Sequence, residues 1–133
     1  MSKKQIILAE SAPAALGPYS HAVRFGDLVF TAGQIGVDPA ERKLAEGGIQ
    51  AETRQALTNL QNVLAAAGSS LDNVLKTTVF LRDIADFADF NAAYAEFFSA
   101  DRPGAGFPAR TTVQAGALPG GAAVEIEAVA CIK

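Results

Sequence analysis

The chain has 133 residues, half of them hydrophobic and 19% charged, and its 11 basic and 14 acidic side chains leave a formal net charge of −3. That length fits one domain around one core, and the composition excludes a disordered chain. No basic run follows Lys3-Lys4, which argues against a surface that binds nucleic acid by neutralising phosphates. The lone cysteine, Cys131, excludes an intrachain disulfide and a cysteine-built metal site. The apolar run before Ala9 is too short for a leader or a membrane span, so the cytoplasm is the expected location.

In chain order, Lys4 to Leu8 reads as a first strand, and Pro13 to Pro18 as a loop punctuated by two prolines and a glycine. Ala22-Phe25 and Leu28-Ala32 flank Gly26-Asp27, which predicts a hairpin with a type I′ or II′ turn. Val37 to Gly48 is an excursion with a short strand near Lys43-Ala45. Ile49, Thr53, Leu57, Leu60 and Leu64 recur at helical spacing, so a helix is expected from about Gln50 to Ala67, with Gly68 just past its end. Val74 to Leu81 is rich in β-branched residues and predicts a strand. A second helix is expected from about Phe87 to Ser99, with Phe87, Phe90, Tyr94 and Phe97 as a core-facing stripe. Asp101-Arg-Pro-Gly104 breaks the chain. Strands follow at Arg110-Gln114 and Ala123-Ile132, with a turn at Leu118-Gly121 between them. The expectation is a single α+β domain over residues 1–133, a mixed sheet of about six strands with two helices packed on one face.

The last strand is apolar on both faces. Val124, Ile126, Ala128, Ala130 and Ile132 form the face expected under the helices, while Ala123, Glu125, Glu127, Val129 and Cys131 are only partly polar. Leu28-Ala32 and Val79-Leu81 are also apolar on both sides. Two helices cannot cover both faces of one sheet, so the pattern predicts that other subunits bury the second face.

Few residues invite chemistry. Gly33-Gln-Ile-Gly36 lacks the Lys-Ser/Thr of a phosphate loop. His21 is the single histidine, no serine has nucleophile-elbow context, and His21 is expected at a surface or edge. Arg110 opens an apolar strand after a Gly/Pro-rich loop, where its fork either snorkels to solvent or holds an anion. Glu125 and Glu127 share the non-core face of the last strand. Either they are solvated, or one of them is buried at a subunit contact and usable as an acid or base. Cys131 is expected to pack.

Six segments together resemble the RidA (YjgF/YER057c/UK114) family over essentially the whole chain: Gly17-Pro-Tyr-Ser20, Phe30-Thr-Ala-Gly-Gln-Ile-Gly36, Val74 to Leu81, Phe90-Asn-Ala-Ala-Tyr94, Phe107-Pro-Ala-Arg-Thr-Thr-Val113 and Val124 to Val129. The resemblance implies a chorismate-mutase-like fold and a homotrimer with clefts between subunits. It also implies a 2-iminobutanoate/2-iminopropanoate deaminase, which hydrolyses enamines and imines such as 2-aminoacrylate to 2-keto acids and ammonia without cofactor or metal. Under it, Arg110 binds the substrate carboxylate and Glu125 places or activates water. Tyr19, Gly33, Gln34 and Asn91 line the substrate. The chain departs from the pattern at Ala32, where many members have serine, and at Thr112, where some have cysteine. The competing readings are a non-catalytic metabolite-binding homotrimer and a ribonuclease or translation inhibitor.

Overall fold

In the computed structural model, which describes residues 3–98 and 106–132, the long helix α1 spans Ile49–Ala66. Its apolar stripe of Ala56, Leu57, Leu60, Val63 and Leu64 is fully buried. Each of the larger side chains contributes about 1.5–3 kcal/mol by leaving water. The helix ends in a Schellman pair, Ser69 N–H to Leu64 O at 2.8 Å and Gly68 N–H to Ala65 O at 3.0 Å. The second helix, α2, covers Phe87–Ala95. It ends at Ala95 with Glu96 as its C-cap, and Glu96, Phe97 and Phe98 already lie beyond it, so it stops short of the expected Ser99. Ser99 itself and the expected break at 101–104 lie outside the described residues.

Nine strands accompany the helices among the described residues: β1 Gln5–Ile7, β2 Ala22–Phe25, β3 Leu28–Thr31, β4 Gln34–Ile35, β5 Val37–Asp38, β6 Lys43–Leu44, β7 Val74–Leu81, β8 Ala109–Gln114 and β9 Val124–Cys131. Seven form one sheet in the order β1-β2-β3-β9-β7-β8, with β4 also paired to β9, and β5 and β6 form a separate hairpin. Only the β7–β8 pair is parallel, so the sheet is mixed. At the β2–β3 hairpin Gly26 has φ 59° and Asp27 does not have a positive φ. That excludes type I′ and leaves type II′ of the two expected turns.

Alternation assigns the two faces. Val29, Thr77, Val79, Leu81, Val124, Ile126, Ala128 and Ala130 are buried and form the floor under α1 and α2. The other face bears Ile6, Phe25, Leu28, Phe30 and Val113, each 40–54% exposed, together with Glu125 and Glu127. Two expectations need correction. Ala123 is 2% exposed and belongs to the buried set, because the chain is still turning in from Gly121 where β9 begins. His21 is 5% exposed, not at a surface. It accepts from Ala9 N–H at Nδ1 (2.8 Å), which leaves Nε2 to donate to Pro13 O (2.8 Å) and staples the loop between β1 and β2.

The helices are joined by a bidentate pair, Arg54 Nε to Glu96 Oε1 at 3.0 Å and Arg54 Nη2 to Glu96 Oε2 at 2.8 Å. The Arg54 hydrogen bonds hold the Glu96 carboxyl below its ordinary value. A depressed acid stabilises the fold above its unfolded value, and that stability is lost as pH falls through the folded one. Glu96→Gln should therefore melt slightly below wild type at pH 7. The two melting curves should converge as pH drops below the ordinary glutamate range.

Candidate functional site

Glu125 lies in the middle of the sheet. Register places it opposite Ile35 of β4 on one side and Phe80 of β7 on the other, and Val113 of β8 continues the row beyond Phe80. Direct cross-strand neighbours on one face have Cβ atoms about 4.5–5.5 Å apart, so this carboxylate stands between two apolar side chains. Burial lifts the Glu125 carboxyl above the ordinary glutamate range, and the Glu127 carboxylate two residues along adds to the shift. A group so placed holds a proton more readily than a surface glutamate.

Gly33 covers this carboxylate. A Cβ at Gly33 would come within 2.6 Å of Glu125 Oε2 and 2.8 Å of its Cδ. Only glycine admits that approach. The chain reaches it by leaving the β3 ladder after Thr31. There the Thr31 Oγ1 accepts the Ala128 N–H at 2.9 Å in place of a backbone carbonyl, while Ala32 N–H turns to His21 O at 2.9 Å. The Thr31 hydroxyl thus has a structural task beside Ala32, where the family pattern often has serine. Gln34 pairs with Ile126 of the core face and is 5% exposed. Its backbone, not its amide, therefore adjoins the Glu125 row.

Arg110 belongs to the opposite face. It pairs with Thr77, which is fully buried beneath α2. Its guanidinium carbon lies 5.5 Å from the Phe87 ring centroid, 5.3 Å from Phe90 and 4.8 Å from Tyr94. The aromatic stripe of α2 is therefore core on one side and a bed for a cation on the other, which sequence periodicity alone does not distinguish. Of the expected stripe, Phe90 and Tyr94 are core, Phe97 is only partly buried and Phe87 is exposed, while Phe98, outside the stripe, is buried in its stead. Tyr94 is fixed by a 2.8 Å bond between its hydroxyl and Thr77 Oγ1. Burial raises its phenol above the usual value, with Thr77 and Arg110 opposing. No carboxylate among the described residues lies within salt-bridge distance of Arg110. The fork thus rests against three rings with no ionic partner among the described residues.

Two oxygen atoms near this bed are buried without a hydrogen-bond partner, Asn91 Oδ1 and Thr112 Oγ1. Asn91 stands on α2 between Phe90 and Tyr94, and Thr112 follows Arg110 on the same face of β8. Such orphans cost about 1–3 kcal/mol each and call for an explanation, of which a ligand or an ordered water is the usual one. In the sequence Thr112 stands out only as a departure from the family pattern, and its alternation with Arg110 places it on this face.

The expected site residues thus fall into separate groups within one chain. Gly33 touches Glu125, and Asn91 shares the aromatic helix with Arg110. Tyr19 leads into β2, with β3, β9 and β7 between that strand and β8. It is half exposed, and its hydroxyl accepts the Leu16 N–H at 3.1 Å. Arg110 and Glu125 are two strands apart, three residues apart along the strands and on opposite faces, about 14 Å between Cα atoms at standard strand spacing. His21 spends both ring nitrogens on backbone. Cys131 donates to Asn73 O at 3.6 Å and packs. No group of three His, Cys, Asp or Glu side chains able to hold a metal occurs among the described residues. Gly33→Ala should push the Glu125 carboxylate off its cover towards water. Carboxyl NMR should then find Glu125 titrating at lower pH than in wild type.

With this geometry in view, comparison with known proteins identifies the relatives. The Endoribonuclease L-PSP family matches residues 9–132. A 2-iminobutanoate/2-iminopropanoate deaminase from Bos taurus is 46% identical over 127 residues, covering 96% of this chain and 89% of the relative. RidA from the Antarctic bacterium Psychrobacter superposes with a TM-score of 0.88 at 41% identity, covering 96% of this chain and 99% of the other. TdcF of E. coli, solved with bound serine, gives 0.88 at 40% identity, covering 96% and 98%. The expected chorismate-mutase-like α+β fold holds, and the chain belongs to the RidA/YjgF/L-PSP family.

Proposed function

We propose that this protein is a 2-iminobutanoate/2-iminopropanoate deaminase that hydrolyses small enamine and imine acids, including 2-aminoacrylate, to 2-keto acids and ammonia. The observation that carries the reading is the pairing of two prepared groups: a guanidinium laid on an aromatic bed, and a carboxylate desolvated in a sheet under glycine. A small 2-imino acid needs both, one for its carboxylate and one for the water that attacks it. Full-length relatives that bear the deaminase name support the same reading.

Arg110 holds the substrate carboxylate in a bidentate pair, which fixes the orientation of the neighbouring carbon. The enamine takes a proton at its terminal carbon and becomes the imine. A water molecule held by Glu125 adds to the C=N carbon, forming the C–O bond as the π pair moves to nitrogen. Glu125 accepts the water proton and returns it to nitrogen. The carbinolamine then collapses: its hydroxyl proton passes to nitrogen by way of Glu125 or water, the C–N bond breaks as C=O forms, and ammonia and the keto acid leave. Glu125 must be ionised to begin and protonated midway, so a carboxyl above its ordinary value suits both halves of the cycle. The Gly33–Gln34 backbone borders the carboxylate, and Asn91, with its orphan Oδ1, lies beside the guanidinium as an acceptor for substrate N–H. The uncatalysed reaction is already fast, so an orienting clamp and a proton carrier need remove only a few kcal/mol of barrier.

Arg110 and Glu125 cannot enclose one small acid within a single chain. In this reading the assembly is a homotrimer whose clefts set Arg110 of one protomer against Glu125 and Gly33 of the next, with Tyr19 at the cleft mouth. The exposed apolar sheet face of Ile6, Phe25, Leu28 and Phe30 is the kind of surface such an assembly covers. No described helix is long and apolar enough to cross a membrane, and the proposed place of action is the cytoplasm. The ribonuclease alternative lacks a histidine with a ring nitrogen to spare, and the metabolite binder leaves the desolvation of Glu125 without purpose.

The test generates 2-aminoacrylate or 2-iminobutanoate in situ with a pyridoxal-phosphate lyase and traps it with semicarbazide. Wild type should divert the imine to keto acid. Arg110→Ala and Glu125→Ala should each lose the effect by about a hundredfold or more. Tight keto-acid binding without turnover would support the binder instead. A second prediction follows from the shared cleft. Co-refolding the two inactive variants should restore about a quarter of wild-type activity, because random mixing joins an intact Arg110 to an intact Glu125 at that fraction of interfaces. Sites contained within one chain would recover nothing.

A further inference from the structure

Helix α1 carries two polar side chains in the stripe where it meets the sheet. Glu52 is 7% exposed and Asn59 is fully buried, two turns further on. Neither pairs with an ion. Glu52 Oε1 accepts the Ala123 N–H at 2.9 Å, two residues before Glu125 on the same chain segment. Asn59 Nδ2 donates to Ile35 O at 3.0 Å and Val37 O at 2.8 Å, and its Oδ1 accepts Gln55 Nε2 at 2.9 Å. All three bonds of the Asn59 amide agree with one orientation of that group. Ile35 is the residue directly opposite Glu125. Gly36 packs on the helix so closely that a Cβ there would come within 2.5 Å of Glu52 O.

Both strands that meet at Glu125 are thus tied to the same rigid helix. Both ties satisfy backbone groups of the strands rather than bury apolar surface. Buried polar groups of this kind ordinarily specify a geometry. We propose that Glu52 and Asn59 are positioning residues for imine hydrolysis, clamping β4 and the start of β9 to α1 so that Gly33 stays seated over the Glu125 carboxylate. The inference rests on the role given above to Glu125, but the clamp itself can be read without substrate.

The clamp keeps water away from the carboxylate. The charged groups that face Glu125 on the open side are Glu127 on its own strand and, further along, Lys76 of β7. β4 presents Ile35, and β7 and β8 present Phe80 and Val113 beside it. Loosening β4 changes none of these charges. It admits water, so Glu125 should titrate closer to an ordinary glutamate.

The experiment compares Asn59→Leu and Glu52→Ala with two references. Glu52→Gln keeps an acceptor facing the Ala123 N–H. Thr53→Val removes a hydroxyl that is equally buried on α1 but bonds only its own helix, at Ile49 O. With kcat normalised to folded protein, the two disruptive variants should lose about tenfold or more. KM should move less than about threefold, since Arg110 is untouched. The acid limb of the pH–rate profile and the carboxyl NMR titration of Glu125 should both shift to lower pH. Glu52→Gln should restore most of kcat, and Thr53→Val should lower the melting temperature without moving either titration. If Asn59→Leu does not fold, Glu52→Ala decides alone. Folded variants with wild-type kcat, or with an unmoved Glu125 titration, overturn the clamp. If wild type turns over no imine but the Glu125 titration still shifts in the disruptive variants, the clamp is upheld and the deaminase reading is overturned.

Discussion

Strand β9 is paired along its whole length, with β7 on one side and β3 then β4 on the other, and Glu125 sits where β4 takes over from β3. An ionisable group in the middle of a sheet has none of the freedom of one on a loop. Its rotamers are limited by Ile35 and Phe80 on either hand and by Gly33 above. That confinement is why burial is the main cause that lifts its carboxyl above the ordinary value. A general base placed on a rigid element needs little reorganisation when substrate arrives.

The same sheet separates the second prepared group. Arg110 lies at the opposite face of an edge strand, where α2 supplies three rings for it to rest on. Moving it to the face of Glu125 would require a one-residue slip of β8, which would also turn Thr112 outward and Thr111 and Val113 inward. The fold cannot bring the two together by small adjustment. If they act on one molecule, a neighbouring copy must close the distance, and the apolar residues left uncovered on the open face provide the surface to do it.

Periodicity made most of the scaffold legible. The 3.6-residue spacing of α1 and the β-branched run of β7 lead to elements at Ile49–Ala66 and Val74–Leu81, within a residue of the expected bounds. The two-sided apolar character of β9 pointed to a sheet face that the helices leave open. Less was legible where side chains replace backbone. The passage from β3 to β4 depends on the Thr31 hydroxyl standing in for a carbonyl, and Phe30-Thr-Ala-Gly-Gln has no local pattern for that. His21 reads as an edge residue because a lone histidine beside a strand gives no hint that both its nitrogens face backbone across a loop. The site residues themselves came from resemblance. Local sequence left Arg110 and Glu125 each with a bland reading, and could not show that one rests on the rings of α2 and the other lies under Gly33.

The places where the chain departs from what stability alone would favour cluster around these two groups. Asn91 and Thr112 keep buried oxygens unpaired beside Arg110, Glu125 is held partly out of water, and α1 spends two core positions on Glu52 and Asn59. The unpaired oxygens and the desolvated carboxylate each cost stability, whereas Glu52 and Asn59 satisfy strand backbone groups that an apolar side chain would leave unpaired. Their placement, beside Arg110 on one face and along the β4–β9 seam at Glu125 on the other, supports a functional reading, because unrelated defects would scatter over the structure. It also orders them. The orphan oxygens lack a hydrogen bond within the fold. The Glu52 and Asn59 bonds are already complete, so their purpose must lie in the geometry they impose on the strands around Glu125.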